Sequence, residues 1–213
     1  MLGKPKLKLV FALAVIAASP LSSTSEGKGR HYQAKNVFVF GSPANLVSGA
    51  ATLTRTTKGI SFKVYTSGLE PGSNTIWIVI FNRPENCAAG PGGCMAPDLS
   101  NPSVEGSVVA GAGYLVGADG IANFAGTLDT GSPPDGIQVN IPAGTANGLK
   151  NAMKAEVHLV VRKHGAVTAN GRAVNQLTTF EDAATCASQG RVCQNVQAVA
   201  FPGFNHGDDE NDD

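Results

Sequence analysis

The sequence predicts an all-β fold: an antiparallel two-sheet sandwich, of Greek-key or barrel-like form, with disulfide-stapled loops. Three observations predict it. Short alternating or continuous apolar runs recur along the chain, each bounded by Gly, Pro, Asn or Asp. Only residues 145–154 have helical character, and Asn147-Gly148 weakens it. Four cysteines form two pairs of equal spacing, Cys87 with Cys94 and Cys186 with Cys193.

The first element is a leader. Lys4, Lys6 and Lys8 precede an unbroken apolar run over residues 9–18, and small and polar residues follow up to Ser25. A basic head, a short apolar middle and a small-residue exit mark a secretory signal peptide. An apolar helix of this length spans about 15 Å, half of a roughly 30 Å bilayer core, so it is too short for a permanent anchor. The expected organisation is a signal peptide over residues 1–25, one domain over 26–206 and a disordered acidic tail over 207–213. The expected compartment is the periplasm or the cell exterior.

Lys and Arg balance Asp and Glu at 16 each, and five of the acids lie in the last six residues. The folded part is therefore close to neutral, which gives no electrostatic footprint for nucleic acid or an anionic membrane. No later apolar run is long enough to span a bilayer as a helix.

The expected strands cover residues 37–40, 50–56, 60–66, 75–82, 106–116, 121–128, 138–141, 156–163, 174–180 and 196–201. Lys58-Gly59 and Asp119-Gly120 supply the positive φ of tight hairpins. Glu70-Pro71-Gly72 is a turn in which Pro presets one corner and Gly tolerates the next. Ile60, Phe62 and Val64 alternate with Ser61, Lys63 and Tyr65, as in a half-buried strand. Residues 75–81 are apolar on both faces, which predicts a central strand covered on both sides.

Export favours disulfides, and the spacing favours local bridges, Cys87–Cys94 and Cys186–Cys193. Each would stabilise by roughly 2–3 kcal/mol in the chain-entropy model. The rival reading is a zinc site, although zinc cysteines usually stand two to four residues apart.

No nucleophile elbow, HExxH helix or Walker loop occurs. Of the four histidines, His158 and His164 share the segment EVHLVVRKHG, where Glu156, His158, Val160 and Arg162 fall on one face. Glu156 and His158 could supply two metal ligands, short of a usual metal count without others. His158 and His164 would stand about 20 Å apart along a strand and cannot share an ion. The loop over residues 82–99 carries Arg83, Glu85 and Asp98; stapled and polar, it reads either as a binding loop or as a loop that only resists proteolysis.

The stretches at 67–87 (SGLEPGSNTIWIVIFNRPENC), 107–124 (SVVAGAGYLVGADGIANF), 156–165 and 195–201 (NVQAVAF) resemble a family of exported bacterial proteins of uncharacterised function. The turn Gly68-Leu69-Glu70-Pro71-Gly72, feeding an apolar strand, also resembles CHRD domains and copper/zinc superoxide dismutases, both β-sandwiches. That resemblance implies the fold. It implies no metal site, because the dismutases' histidine positions here read Ile76-Trp77-Ile78-Val79-Ile80.

Three classes of function follow. The leading one is an exported, non-catalytic module that binds a protein or a cell-surface polymer, with no cofactor; Arg83, Glu85, Asp98 and Arg162 are its candidate contacts. The second is a copper- or zinc-binding protein using Glu156 and His158. The third is a carbohydrate-active enzyme whose carboxylates, such as Glu85, Asp98 and Glu156, meet only in the fold.

Overall fold

The computed structural model describes residues 24–27, 29–90, 93–131, 148–167, 176–177 and 183–204. Residues 1–23 of the expected leader, the strand expected at 138–141, the acidic tail, His206 and most of 174–180 lie outside them.

The described chain is almost entirely antiparallel sheet, as expected, and takes the barrel-like form. Its strands are β1 (Thr24–Gly27), β2 (Arg30–Val39), β3 (Ser42–Thr56), β4 (Gly59–Thr66), β5 (Gly72–Phe81), β6 (Gly106–Val116), β7 (Ala122–Asp129), β8 (Glu156–Lys163) and β9 (Gln194–Phe201). A short helix, α1, spans Ala183–Ser188. The sheet order is β6-β5-β8-β9-β2-β3-β4-β7, with β1 added on β2. The sheet curls until its two outer strands meet again. At that seam, a side chain on Gly111 of β6 or on Gly126 of β7 would strike the Phe62 ring. Two glycines thus let β6 and β7 approach over one aromatic.

The inward face follows the alternation of the sequence. Ile76, Ile78 and Ile80 of β5 stand opposite Val161, Leu159 and Val157 of β8, and Phe62 and Val64 of β4 complete the same core. The outward face of β5 and β8 is also covered, which explains why residues 76–81 are apolar throughout. Phe81 packs there with Cys94 and Val104, and Arg162 lies 4.4 Å from the Trp77 ring centre.

Strand β3 carries Ala51, Leu53 and Arg55 on its inward face, all fully buried. Arg55 closes one mouth of the barrel. Its Nε donates to Gln33 Oε1, Nη1 to the carbonyls of Ala152 and Ala155, and Nη2 to those of Phe201 and Pro202. All five N–H groups are used. Burial pulls its pKa down to about 10, against the opposing pull of the Glu156 charge, so it stays protonated at neutral pH. At the other mouth, Thr66 Oγ1 donates to Gln197 Oε1, and Gln197 Nε2 donates to Ser67 O.

The structure joins Cys87 to Cys94 and Cys186 to Cys193, the two local pairings. Several expected boundaries need correction. β1 was not foreseen; its Thr24–Gly27 pair with Gln33–Arg30 of β2. The described part of the helix expected over 145–154 is a turn: Gly148 sits at φ 61°, and Asn151 Oδ1 accepts from the nitrogens of Met153 and Lys154. A side chain that bonds its own downstream backbone favours a turn over helix propagation. In the strand expected over 174–180, Gln176 and Leu177 are helical. The Ala-rich run before Gly190 forms α1, and Gly190, at φ 67°, terminates it.

Candidate functional site

The loop between β5 and β6 sits at the mouth closed by Arg55, and its shape starts from one asparagine. Asn82, buried at the end of β5, donates from Nδ2 to Glu105 O and Gly148 O, and its Oδ1 accepts from Lys150 N, each at 2.8 Å. One side chain thereby ties the loop's return to the segment that leads into β8. Ser107 Oγ adds to this by accepting from Gly148 N.

Asp98 organises the loop's interior. Its Oδ1 accepts from the nitrogens of Ala88 and Ala89, and its Oδ2 accepts from Met95 N at 2.7 Å. Burial opposes its ionisation, but the three N–H donors outweigh burial and hold the carboxyl below its ordinary range. The Cys87–Cys94 bridge closes the same segment. Glu156 anchors it to the barrel: Oε1 accepts from Cys94 N at 2.9 Å and lies 2.6 Å from His158 Nε2. The His158 ring meets the edge of Phe81, with centroids 5.1 Å apart.

Glu105 is the one non-glycine residue with positive φ among those described, at φ 54° and ψ 50°. Left-handed backbone costs such a residue of order 1 kcal/mol or more. It places the carboxylate between two cations, 3.4 Å from Arg83 Nε and 3.0 Å from Lys150 Nζ. The Lys150 hydrogen bond first, then the charges of Lys150 and Arg83, outweigh desolvation and hold the Glu105 carboxyl below its ordinary range. The arrangement leaves the Arg83 and Lys150 side chains 57% and 47% exposed on a fixed base.

The candidate contacts read from the sequence therefore separate. Arg83 and Glu85 face solvent on the braced loop. Asp98 is buried and engaged by the loop's own backbone. Arg162 lies on the covered face of β8, where Nη1 donates to Asn195 Oδ1. Glu156 and His158 do come together on one face of β8, as the alternation requires. No third His, Cys, Asp or Glu donor joins them among the described residues. The carboxylates of Asp98 and Glu156 both serve as acceptors for backbone N–H groups of the 82–105 loop.

Sequence reasoning missed Asn82, Glu105 and Lys150. Asn82 looked like the last residue of a strand, and its partners lie as far along the chain as Gly148. Glu105 had no glycine signature to mark its left-handed backbone. No protein-family model, curated protein or solved structure matches this chain.

Proposed function

We propose that the protein is an exported binding module, and that the braced 82–105 loop with Lys150 is its recognition surface for an acidic cell-surface polymer. The observation that carries this reading is Glu105. Its left-handed backbone holds a carboxylate between Arg83 and Lys150, so two half-exposed cations are positioned before any partner arrives. Such pre-ordering lowers the entropy lost on binding. Asn82, Asp98 and the Cys87–Cys94 bridge fix the platform to a rigid barrel, as binding loops are commonly carried. The basic leader and the two disulfides support a periplasmic or extracellular setting.

Co-sedimentation of the purified chain with insoluble acidic cell-wall polymer tests the proposal. Retention that falls with salt, and falls further in R83A/K150A, is the expected result. Equal retention of wild type and double variant at every salt concentration would overturn it.

A further inference from the structure

We propose that His164, Cys186 and Cys193 form a redox-gated site for copper(I), closed while the cysteines are bridged and opened when a dithiol reduces them. These residues lie at the mouth of the barrel opposite the 82–105 loop. Among the described residues they are the one group of three His, Cys, Asp or Glu side chains whose donor atoms all lie within 4.8 Å of one another. All three are buried.

The geometry suits ligation. His164 follows β8 directly and is fixed by its backbone: its nitrogen donates to Ser73 O at 2.8 Å, and its carbonyl accepts from Arg191 Nη1 at 2.8 Å. Its Nδ1 lies 3.3 Å from Cys193 Sγ, and its Nε2 lies 2.8 Å from Thr75 Oγ1. This is the division of labour in a ligating imidazole, one nitrogen toward the metal and the other held by a fixed partner. Arg191 N also donates to Cys186 O at 2.9 Å, so one residue ties the α1 loop back beneath the histidine. Two soft thiolates with a borderline imidazole suit copper(I) or zinc. Zinc sites take four ligands, and an open fourth position needs water. Three donors buried together fit copper(I) better.

The gating step balances. A thiolate of the dithiol attacks Cys193 Sγ, and the S–S electron pair leaves on Cys186 Sγ. The second thiol of the reductant, deprotonated, then attacks its partner in the mixed disulfide and releases Cys193 as thiolate beside His164 Nδ1. The dithiol is oxidised to a disulfide, the two cysteines take up two electrons, and the two protons pass to the cysteine sulfurs. Copper(I) displaces those protons on binding.

The test is anaerobic titration of the purified chain with copper(I) supplied as its bicinchoninate complex, before and after reduction by dithiothreitol and desalting. The expected result is a single copper taken up after reduction and none before, unchanged in C87S/C94S and absent in C186S/C193S. X-ray absorption should show sulfur and one imidazole nitrogen around the metal. Thr75→Val keeps the side-chain shape, and the loss of its partner oxygen should weaken uptake about tenfold or more. No uptake by the reduced wild type, uptake that persists in C186S/C193S, a shell without nitrogen, or full affinity in Thr75→Val would overturn the proposal.

Discussion

Glu156 Oε1 accepts the backbone N–H of Cys94, so the first residue of β8 holds the disulfide loop against the barrel wall. The bond is buried, and the same oxygen meets His158. Glu156→Ala leaves a buried N–H without its acceptor, at a cost of about 1–3 kcal/mol. Glu156→Gln keeps an acceptor and should lose less. Urea unfolding of the three proteins, with limited proteolysis within residues 82–105, checks the ranking. Equal stability of Glu156→Ala and wild type would show that the loop is held by other means.

Asp98 makes stability depend on acid. Its folded pKa lies below its unfolded value, so its contribution is fully present above the unfolded value of about 3.9 and is lost as pH falls through the lower folded value. Glu105 has the same sign and adds to the same acid limb. The urea midpoint should therefore drop as pH falls below about 4, and Asp98→Asn should flatten part of that drop. An acid limb in Asp98→Asn identical to the wild type would refute the assignment.

Arg55 should be among the least replaceable residues. Arg55→Met would take the guanidinium donors from Gln33 Oε1 and from four carbonyls, of which Pro202 O keeps Gln33 Nε2. Each buried acceptor left unpaired costs about 1–3 kcal/mol, so the total loss should be several kcal/mol. Lysine offers three rotatable donors in place of a planar fork and should recover only part of it. Calorimetric midpoints for wild type, Arg55→Lys and Arg55→Met should fall in that order.

The first strand constrains processing. Thr24 and Ser25 pair with Gln33 and Tyr32, and a cut after Ser25 would remove half of β1. On the proposed export, the mature chain should therefore begin between Ser19 and Thr24. Intact mass of protein recovered from the secreting cell's medium or periplasm decides it, and a start after Ser25 would show that β1 is dispensable.

The strands were legible where one physical pattern acts locally. Alternation marked β4, and the continuous apolar run of β5 was read correctly as covered on both faces. Glu156 and His158 were legible as neighbours because strand period alone places them on one face. What stayed hidden depends on distant parts of the chain. The sheet order brings β8 beside β5 and β9, and it sets His164 against Thr75 and Cys193, partners that no spacing within the EVHLVVRKHG segment reveals. Arg55 stands unmarked within the strand expected over 50–56. Its inward position makes sense only once the carbonyls of Ala152, Ala155, Phe201 and Pro202 converge on it. Asp98 was named as a surface contact because its three backbone donors come from a loop fold that composition does not encode.

The pairing of Phe38 with Ala198 and of Val39 with Gln197 joins the chain's first long hairpin to its last strand. β2–β3–β4 can form from neighbouring residues, and each disulfide closes between cysteines only seven positions apart. The β2–β9 contact instead requires nearly the whole chain to be in hand. Long-range pairing of this kind slows folding, because loop-closure entropy is lost before the contact rewards it. Hairpins and staples are therefore expected to form before closure. Until β9 docks, β2 keeps a bare edge beyond β1, and a second chain could add to it by strand pairing. Docking of β9 thus removes a site for strand exchange.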